Sequence, residues 1–260
     1  MNDSETYQMD AGRCRDRSGL ENFASRKLTA ISECASNQRW GKVYRKSLAY
    51  LNCAEAKKLA ALRALPNNAT DSAVVSLAER VNVFEPYCSP VFWELQPKQS
   101  GTGHRVICTP PPELKARSYL IKDVLQARFQ LEPHLFDLKL RGRDQAARAI
   151  KEALEAGYTK CFVGDVRDCY QHVRIEALAN LLPLQRAVVK NSLDYRNLTL
   201  RERGLSVNYG GLYTAEGSRW NGPRGLLQGL PSSNIILAIL FNSLAAHLSP
   251  HDCRVVLYGD

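Results

Sequence analysis

The chain has 260 residues, 45% of them hydrophobic, and its 35 Lys and Arg outweigh 26 Asp and Glu for a formal net charge of +9. That length can bury a sizeable core in one large or two small domains, and the positive balance favours a polyanionic partner. Two classes are excluded. The eight cysteines contain no Cys-x-x-Cys pair and follow no secretory segment, so they read as reduced thiols of a cytoplasmic, intracellular protein rather than a disulfide framework. The longest apolar run, Ile235 to Phe241, is far too short to span a bilayer, so no membrane partner is expected.

In chain order, Met1 to Ser25 is polar and without periodicity, and is expected to be disordered or loosely attached. Residues 26–66 turn helical and basic. Arg39, Lys42, Arg45, Lys46, Lys57, Lys58 and Arg63 face few acids, with Trp40, Tyr44 and Tyr50 interleaved. Cations and rings in that mixture can track a nucleic-acid backbone, with Lys42, Arg45 and Lys46 as the candidate contacts. The alternative is a solvated helix face with its aromatics in the core. Pro66-Asn67-Asn68 breaks the run and marks a boundary, with residues 67–160 following as a second unit. Asp71 or Ser72 can cap a helix whose Val74, Leu77, Ala78 and Val81 form one apolar face.

Gly101-Thr102-Gly103 feeds a strand from His104 to Cys108, which carries Arg105. Pro110-Pro111-Pro112 precedes a helix with Leu114, Ile121, Val124 and Leu125 on one side, and with Lys115 and Arg117 as further cations. Arg141-Gly142-Arg143-Asp144 opens another helix. Its expected cap is Asp144, its expected buried face Ala147, Ile150 and Leu154, and its stop Gly157.

Residues 161–260 carry the chemistry. Cys161-Phe162-Val163-Gly164-Asp165 reads as a buried strand closing on an acid. A helix follows from Arg174 to Leu182, and Val207 to Tyr213 reads as a hairpin turning on a glycine pair. Gln228-Gly229-Leu230-Pro231-Ser232-Ser233 leads into an apolar helix from Asn234 to Leu248, capped by Ser232 or Ser233. The chain closes on Val255-Val256-Leu257-Tyr258-Gly259-Asp260, a second apolar run with a terminal acid. Strands side by side lie about 5 Å apart, so Asp165 and Asp260 on neighbouring strands would share one cation's shell.

Three of these stretches together resemble the motifs of a known family. Asp165-Val166-x-x-x-Tyr170 is similar to motif A of reverse transcriptases. Gln228 to Ser233 is similar to motif B, and Tyr258-Gly259-Asp260 to a motif C cut after its first aspartate. The wording is closest to the bacterial, retron and group II intron branch, and the resemblance covers roughly Val81 to Asp260. It implies an α+β fold, a polymerase palm with an antiparallel sheet beside helical fingers, with the thumb absent. It also implies template-directed synthesis of DNA on RNA from dNTPs, with an RNA template, a DNA or RNA primer and Mg2+ or Mn2+. Asp165, Asp260 and the Val166 carbonyl would ligate the metals. Arg105 would meet the triphosphate, Tyr170 would block a ribose 2′-hydroxyl, and Gln228 and Gly229 would lie under the nascent base pair. Arg141 and Arg143 would stand near the template. The family's usual proline after the serine is Asn234 here. The chain reads as a fragment with little activity alone, whose partner would be the C-terminal remainder of the polymerase. Two alternatives stay open. One is an RNA-dependent RNA polymerase, which Tyr-Gly-Asp suits but an aromatic at Tyr170 does not. The other is a non-catalytic RNA-binding remnant.

Overall fold

A computed structural model describes residues 17–98, 104–129, 142–166, 168–182, 184–203, 223–248 and 253–257. The fold is α+β and mostly helical. Five helices make the first layer: α1 (Arg17–Ser36), α2 (Trp40–Asn52), α3 (Ala54–Ala64), α4 (Asp71–Arg80) and α5 (Pro112–Arg128). Between α4 and α5 run β1 (Val91–Pro97) and β2 (His104–Thr109). Then come α6 (Gly142–Glu155), the single turn α7 (Cys169–His172), α8 (Ile175–Leu181), α9 (Arg186–Ser192), the short β3 (Leu200–Glu202) and α10 (Ser233–Leu248).

The polar N-terminal stretch is helical from Arg17, earlier than its composition suggests. Its apolar stripe is narrow, with Ala24, Ile31, Cys34 and Ala35 buried, and Arg17 adds an i,i+4 pair with Glu21 at 2.9 Å. Helix α4 begins as expected, but its cap is Thr70, whose hydroxyl accepts the Ala73 N–H at 3.3 Å. Proline at N1 starts α5, and Leu114, Ile121, Val124 and Leu125 are fully buried, as the periodicity requires. This helix is the hub of the fold, packing on α1, α2, α3, α4, α9 and α10.

At the hub's buried face sits a polar cluster. Asp123 accepts the Tyr50 hydroxyl at 2.8 Å and both its oxygens take Arg63, at 2.9 and 3.0 Å. Burial pushes the Asp123 carboxyl up, against the pull of Arg63 and Tyr50, and pushes the Tyr50 phenol up too.

The sheet runs in the order β2-β1-β3. β1 and β2 are antiparallel, with Trp93 opposite Cys108 and Gln96 opposite Arg105, while β1 and β3 are parallel. The sheet is therefore mixed, not antiparallel throughout. A parallel neighbour needs a long crossover, and here α5 to α9 intervene. A small second core of Tyr87, Val91, Cys108, Leu114, Leu198, Leu227 and Leu230 lies against this sheet.

Two expectations are corrected. Residues 161–166 form no strand, and Phe162 is 94% and Val163 88% exposed. Apolar β-formers make a strand only where a ladder pairs their backbone, and among the described residues none does. Helix α6 ends at Glu155, with Gly157 in the turn that follows at φ +96°, but it buries Ala146 and leaves Ala147, Ile150 and Leu154 exposed. Its first residue is Gly142, so Asp144 lies in the first turn rather than at the cap. The helix from Arg174 is present as α8, and α10 starts one residue ahead of Asn234 with its first half buried. The expected hairpin from Val207 to Tyr213 lies outside the described residues. All seven described cysteines are free thiols, and no described helix is long and apolar enough to cross a membrane.

Candidate active site

Three segments far apart in sequence meet at the edge of β2. The Gln228 carbonyl accepts the Cys108 N–H at 2.8 Å, which docks the Gln-Gly turn on the strand's backbone. The next residue has φ +118°, and a Cβ there would stand 2.1 Å from the Cys108 carbonyl oxygen. Only glycine can hold both that conformation and that approach. Gly225, at φ +63°, plays the same part against the segment after Asp165. A Cβ on it would lie 2.2 Å from the Tyr170 carbonyl, which accepts the Leu226 N–H at 2.8 Å.

The turn is also tied to α5. The Ser118 and Ser232 hydroxyls are 2.8 Å apart, both fully buried, and the Ser232 N–H donates to the Ser118 oxygen at 2.9 Å. The Ser233 hydroxyl donates to the Leu227 carbonyl at 2.8 Å. The serines therefore fasten the turn before α10, beyond the capping expected of them. No local pattern in the sequence could have paired Ser118 with Ser232, since the bond joins residues that meet only in the fold.

These fastenings enclose a small recess lined by Val106, Cys108, Tyr170, Gln171, Pro223, Arg224, Leu226 and Gln228. Tyr170 and Gln228, both expected at a substrate, share it. The Tyr170 hydroxyl donates to the Asn234 Oδ1 at 2.8 Å. Burial also pushes the Cys108 thiol up to about 12, so that sulfur is an inert wall of the recess. Arg224 is a cation that the motifs did not flag. It is exposed, and its position four residues before Gln228 was the available signal.

Arg105 is exposed on β2, on the side opposite Val106 and Cys108, which line the recess. Arg117 belongs to the scaffold. It is 3% exposed, donates to the Glu85 carbonyl at 2.7 Å and to Glu113 at 2.9 Å, and its guanidinium lies 5.2 Å from the Tyr87 ring centre. Its Nε is buried without a partner among the described residues, and it is burial that closes the guanidinium off from a phosphate.

Asp165 is exposed, with no hydrogen bond or ion pair among the described residues. Its charge nonetheless reaches Cys169, whose thiol is raised by burial first and by Asp165 second. Val166 beside it is exposed. Asp168 adopts left-handed backbone at φ 47°, and its carboxylate lies 3.7 Å from the Lys98 ammonium at the end of β1. No group of three or more His, Cys, Asp or Glu gathers among the described residues. Asp260 and Arg141 lie outside the described residues, and Arg143 is exposed in the first turn of α6. A carboxylate and a peptide carbonyl are the hard oxygen donors a magnesium-type cation takes, so Asp165 and Val166 suit one half of the expected donor set.

On α2 only one of the three rings, Tyr50, leaves the surface that carries the cations. Lys42, Arg45 and Lys46 are exposed on the side away from buried Val43, Ser47 and Tyr50, and none has an ion pair among the described residues. Trp40 lies under the Arg128 guanidinium at 5.5 Å, Tyr44 accepts the Gln185 side-chain amide at 2.7 Å, and Tyr50 is in the core. Trp40 and Tyr44 thus stay exposed, at 53% and 45%, on the same helix as the cations, and only Tyr50 belongs to the core.

No family model matches the chain, and no curated protein sequence is similar to it.

Proposed function

We propose that the chain is the palm and fingers of an RNA-directed DNA polymerase of the reverse-transcriptase kind. The observation that carries the reading is the meeting of motif A and motif B residues. Tyr170 is bonded through its carbonyl to Leu226 and through its hydroxyl to Asn234, and shares one recess with Gln228. The reading requires these two motifs to lie together, and this contact supports it.

In this reading a deoxynucleotide is transferred to a primer 3′-hydroxyl. A bond forms from that oxygen to the α-phosphorus, the α–β bridging bond breaks, and pyrophosphate leaves. Asp165, the Val166 carbonyl and Asp260 would hold the divalent cations. Bound there, such ions lower the pKa of the attacking hydroxyl and neutralise charge on the triphosphate. The chain's own residues position the reactants. Tyr170 presents its ring to the sugar, the Gln228-Gly229 turn supports the base pair from below, and Arg224 beside Gln228 gives the phosphates a cation in place of Arg105, which stands on the opposite side of β2. The Lys42, Arg45 and Lys46 face of α2 supplies a screened attraction for the RNA template.

The test is primer extension on an RNA template by the protein expressed from its complete reading frame, with Mg2+ and dNTPs. Asp165→Asn should abolish extension and leave the melting temperature unchanged, since the side chain is exposed and has no partner among the described residues. Salt-sensitive RNA binding without any extension in the wild type would instead favour the non-catalytic reading. Extension from rNTPs alone would favour the RNA polymerase.

A further inference from the structure

We infer that Asn234 is a positioning residue that fixes the Tyr170 ring against the sugar of the incoming nucleotide, and so sets dNTP-over-rNTP preference. This rests on the function proposed above and deepens it. The motif wording leads to no such role, because the position that usually holds proline in the resembled family carries an amide here.

The geometry of Tyr170 makes the case. Its backbone is pinned, since the Leu226 N–H donates to its carbonyl at 2.8 Å and the bare Cα of Gly225 closes on the same oxygen. The ring packs partly against the main core, and Val106, Leu226 and Gln228 share its recess. Those contacts fix the Cα and one side of the ring. They leave the outer end of the side chain to be held by its hydroxyl, which donates to the Asn234 Oδ1 at 2.8 Å. Asn234 itself lies exposed in the first turn of α10. That helix is secured by its buried neighbours, with Ser232 on Ser118 and Ser233 on the Leu227 carbonyl. The amide is therefore not needed to seat the helix, and its oxygen accepts from the Tyr170 hydroxyl instead. Discrimination by exclusion works only if the excluding group cannot swing aside. A ring also tethered at its outer end resists a 2′-hydroxyl more than one held at its Cα and one side.

The experiment compares wild type, Asn234→Ala, Asn234→Asp, Tyr170→Phe, the Asn234→Ala/Tyr170→Phe double variant and Tyr170→Ala, each expressed from the complete reading frame. It reads kcat and KM separately for a matched dNTP and rNTP, with a melting curve for each protein. One neutral hydrogen bond corresponds to a loss of preference of about two- to tenfold for Asn234→Ala, arising mainly from a lower KM for the rNTP. Tyr170→Phe should lose about as much, the double variant no more than either, and Asn234→Asp should recover the preference because it keeps an oxygen acceptor. The melting temperatures of these variants should stay close to wild type. If Asn234→Ala and Tyr170→Phe keep the full preference while Tyr170→Ala loses it, the proposed function stands and the role of Asn234 falls. If the two single losses add in the double variant, the residues act independently and the role also falls. If Tyr170→Ala keeps the preference, or the wild type adds no nucleotide, the proposed function falls and takes this inference with it. Should Asn234→Ala fail to fold, Tyr170→Phe removes the same bond from the other side.

Discussion

Gly229→Ala is the perturbation that most directly tests how the Gln-Gly turn is seated. The methyl group would sit 2.1 Å from the Cys108 carbonyl oxygen, where ordinary contact begins near 3.4 Å, so something must move by more than an ångström. The obstacle is strand backbone, held on its other side by β1, and it cannot rotate away as a side-chain tip would. Two costs combine. A non-glycine residue at φ +118° carries strain of about 1–3 kcal/mol. Displacing the turn also breaks the hydrogen bond from the Cys108 N–H to the Gln228 carbonyl, worth about 1 kcal/mol. The expected penalty is about 2–4 kcal/mol.

An internal control separates strain from contact. Gly157 also has positive φ, +96°, but a Cβ there meets nothing within 4 Å, so Gly157→Ala pays the strain alone. Urea unfolding of the three proteins gives the penalties, and hydrogen exchange at the Cys108 amide shows whether the bond has gone. Gly229→Ala should cost at least about 1 kcal/mol more than Gly157→Ala, with the Cys108 amide losing protection in the first variant only. Equal penalties with an equally protected Cys108 amide would refute the seating of the turn on β2, and with it the recess that the seating creates.

Other outcomes follow from the same structure. Arg63→Met strips the buried Asp123 of its cation and should cost about 2–3 kcal/mol near neutral pH, below the ~3–5 of a wholly buried pair because Arg63 is partly exposed. Asp123 has a folded-state pKa raised above its unfolded value, so its favourable contribution is present at acid pH and is lost as pH rises through the folded value. Removing Arg63 raises that value further, so the variant's deficit in urea midpoint should be larger at pH 8 than at pH 5, and an equal deficit at both would count against the pairing. Replacing Lys42, Arg45 and Lys46 with glutamine should flatten the salt dependence of RNA binding by up to about 2 units of slope, at ~0.7 per single-strand phosphate contact, without lowering the melting temperature. An unchanged slope would remove α2 from the RNA path.

Where the sequence was legible, a repeating pattern met a partner surface. Leu114, Ile121, Val124 and Leu125 recur at helical spacing and all four are buried in α5, because that helix is enclosed by the elements around it. Gly157 stops α6 by its own backbone preference. The same pattern misleads where the partner is not there. Phe162 and Val163 have strand chemistry but no ladder, and Ile150 and Leu154 have core chemistry but no covering element among the described residues. Periodicity tells which side of an element is apolar, not whether anything packs on it. Tyr50 shows a further limit. Beside Lys42, Arg45 and Lys46 it reads as one ring in a nucleic-acid face, yet Asp123, 73 positions away, draws it into the core. A partner that distant leaves no local trace.

The candidate site is held chiefly by backbone and by buried hydroxyls. The bonds that seat the turn run from main-chain N–H to main-chain carbonyl at Cys108–Gln228 and Leu226–Tyr170, and the fits at Gly225 and Gly229 are fits of bare Cα atoms. Side chains that enter such contacts would be committed to the fold. Because Gln228 spends only its carbonyl on β2, its side chain is left to the recess it lines. Tyr170 likewise gives its carbonyl to Leu226 and keeps its ring at the recess. This division explains why glycine recurs between the functional side chains of this segment. The backbone can approach closely enough to fix itself only where there is no Cβ, and fixing the backbone that way leaves the neighbouring side chains available for substrate. Polar groups placed for a ligand on a rigid support cost less to organise at the moment of binding than groups on a loose loop, so the glycines contribute to the site's chemistry without touching the reactants.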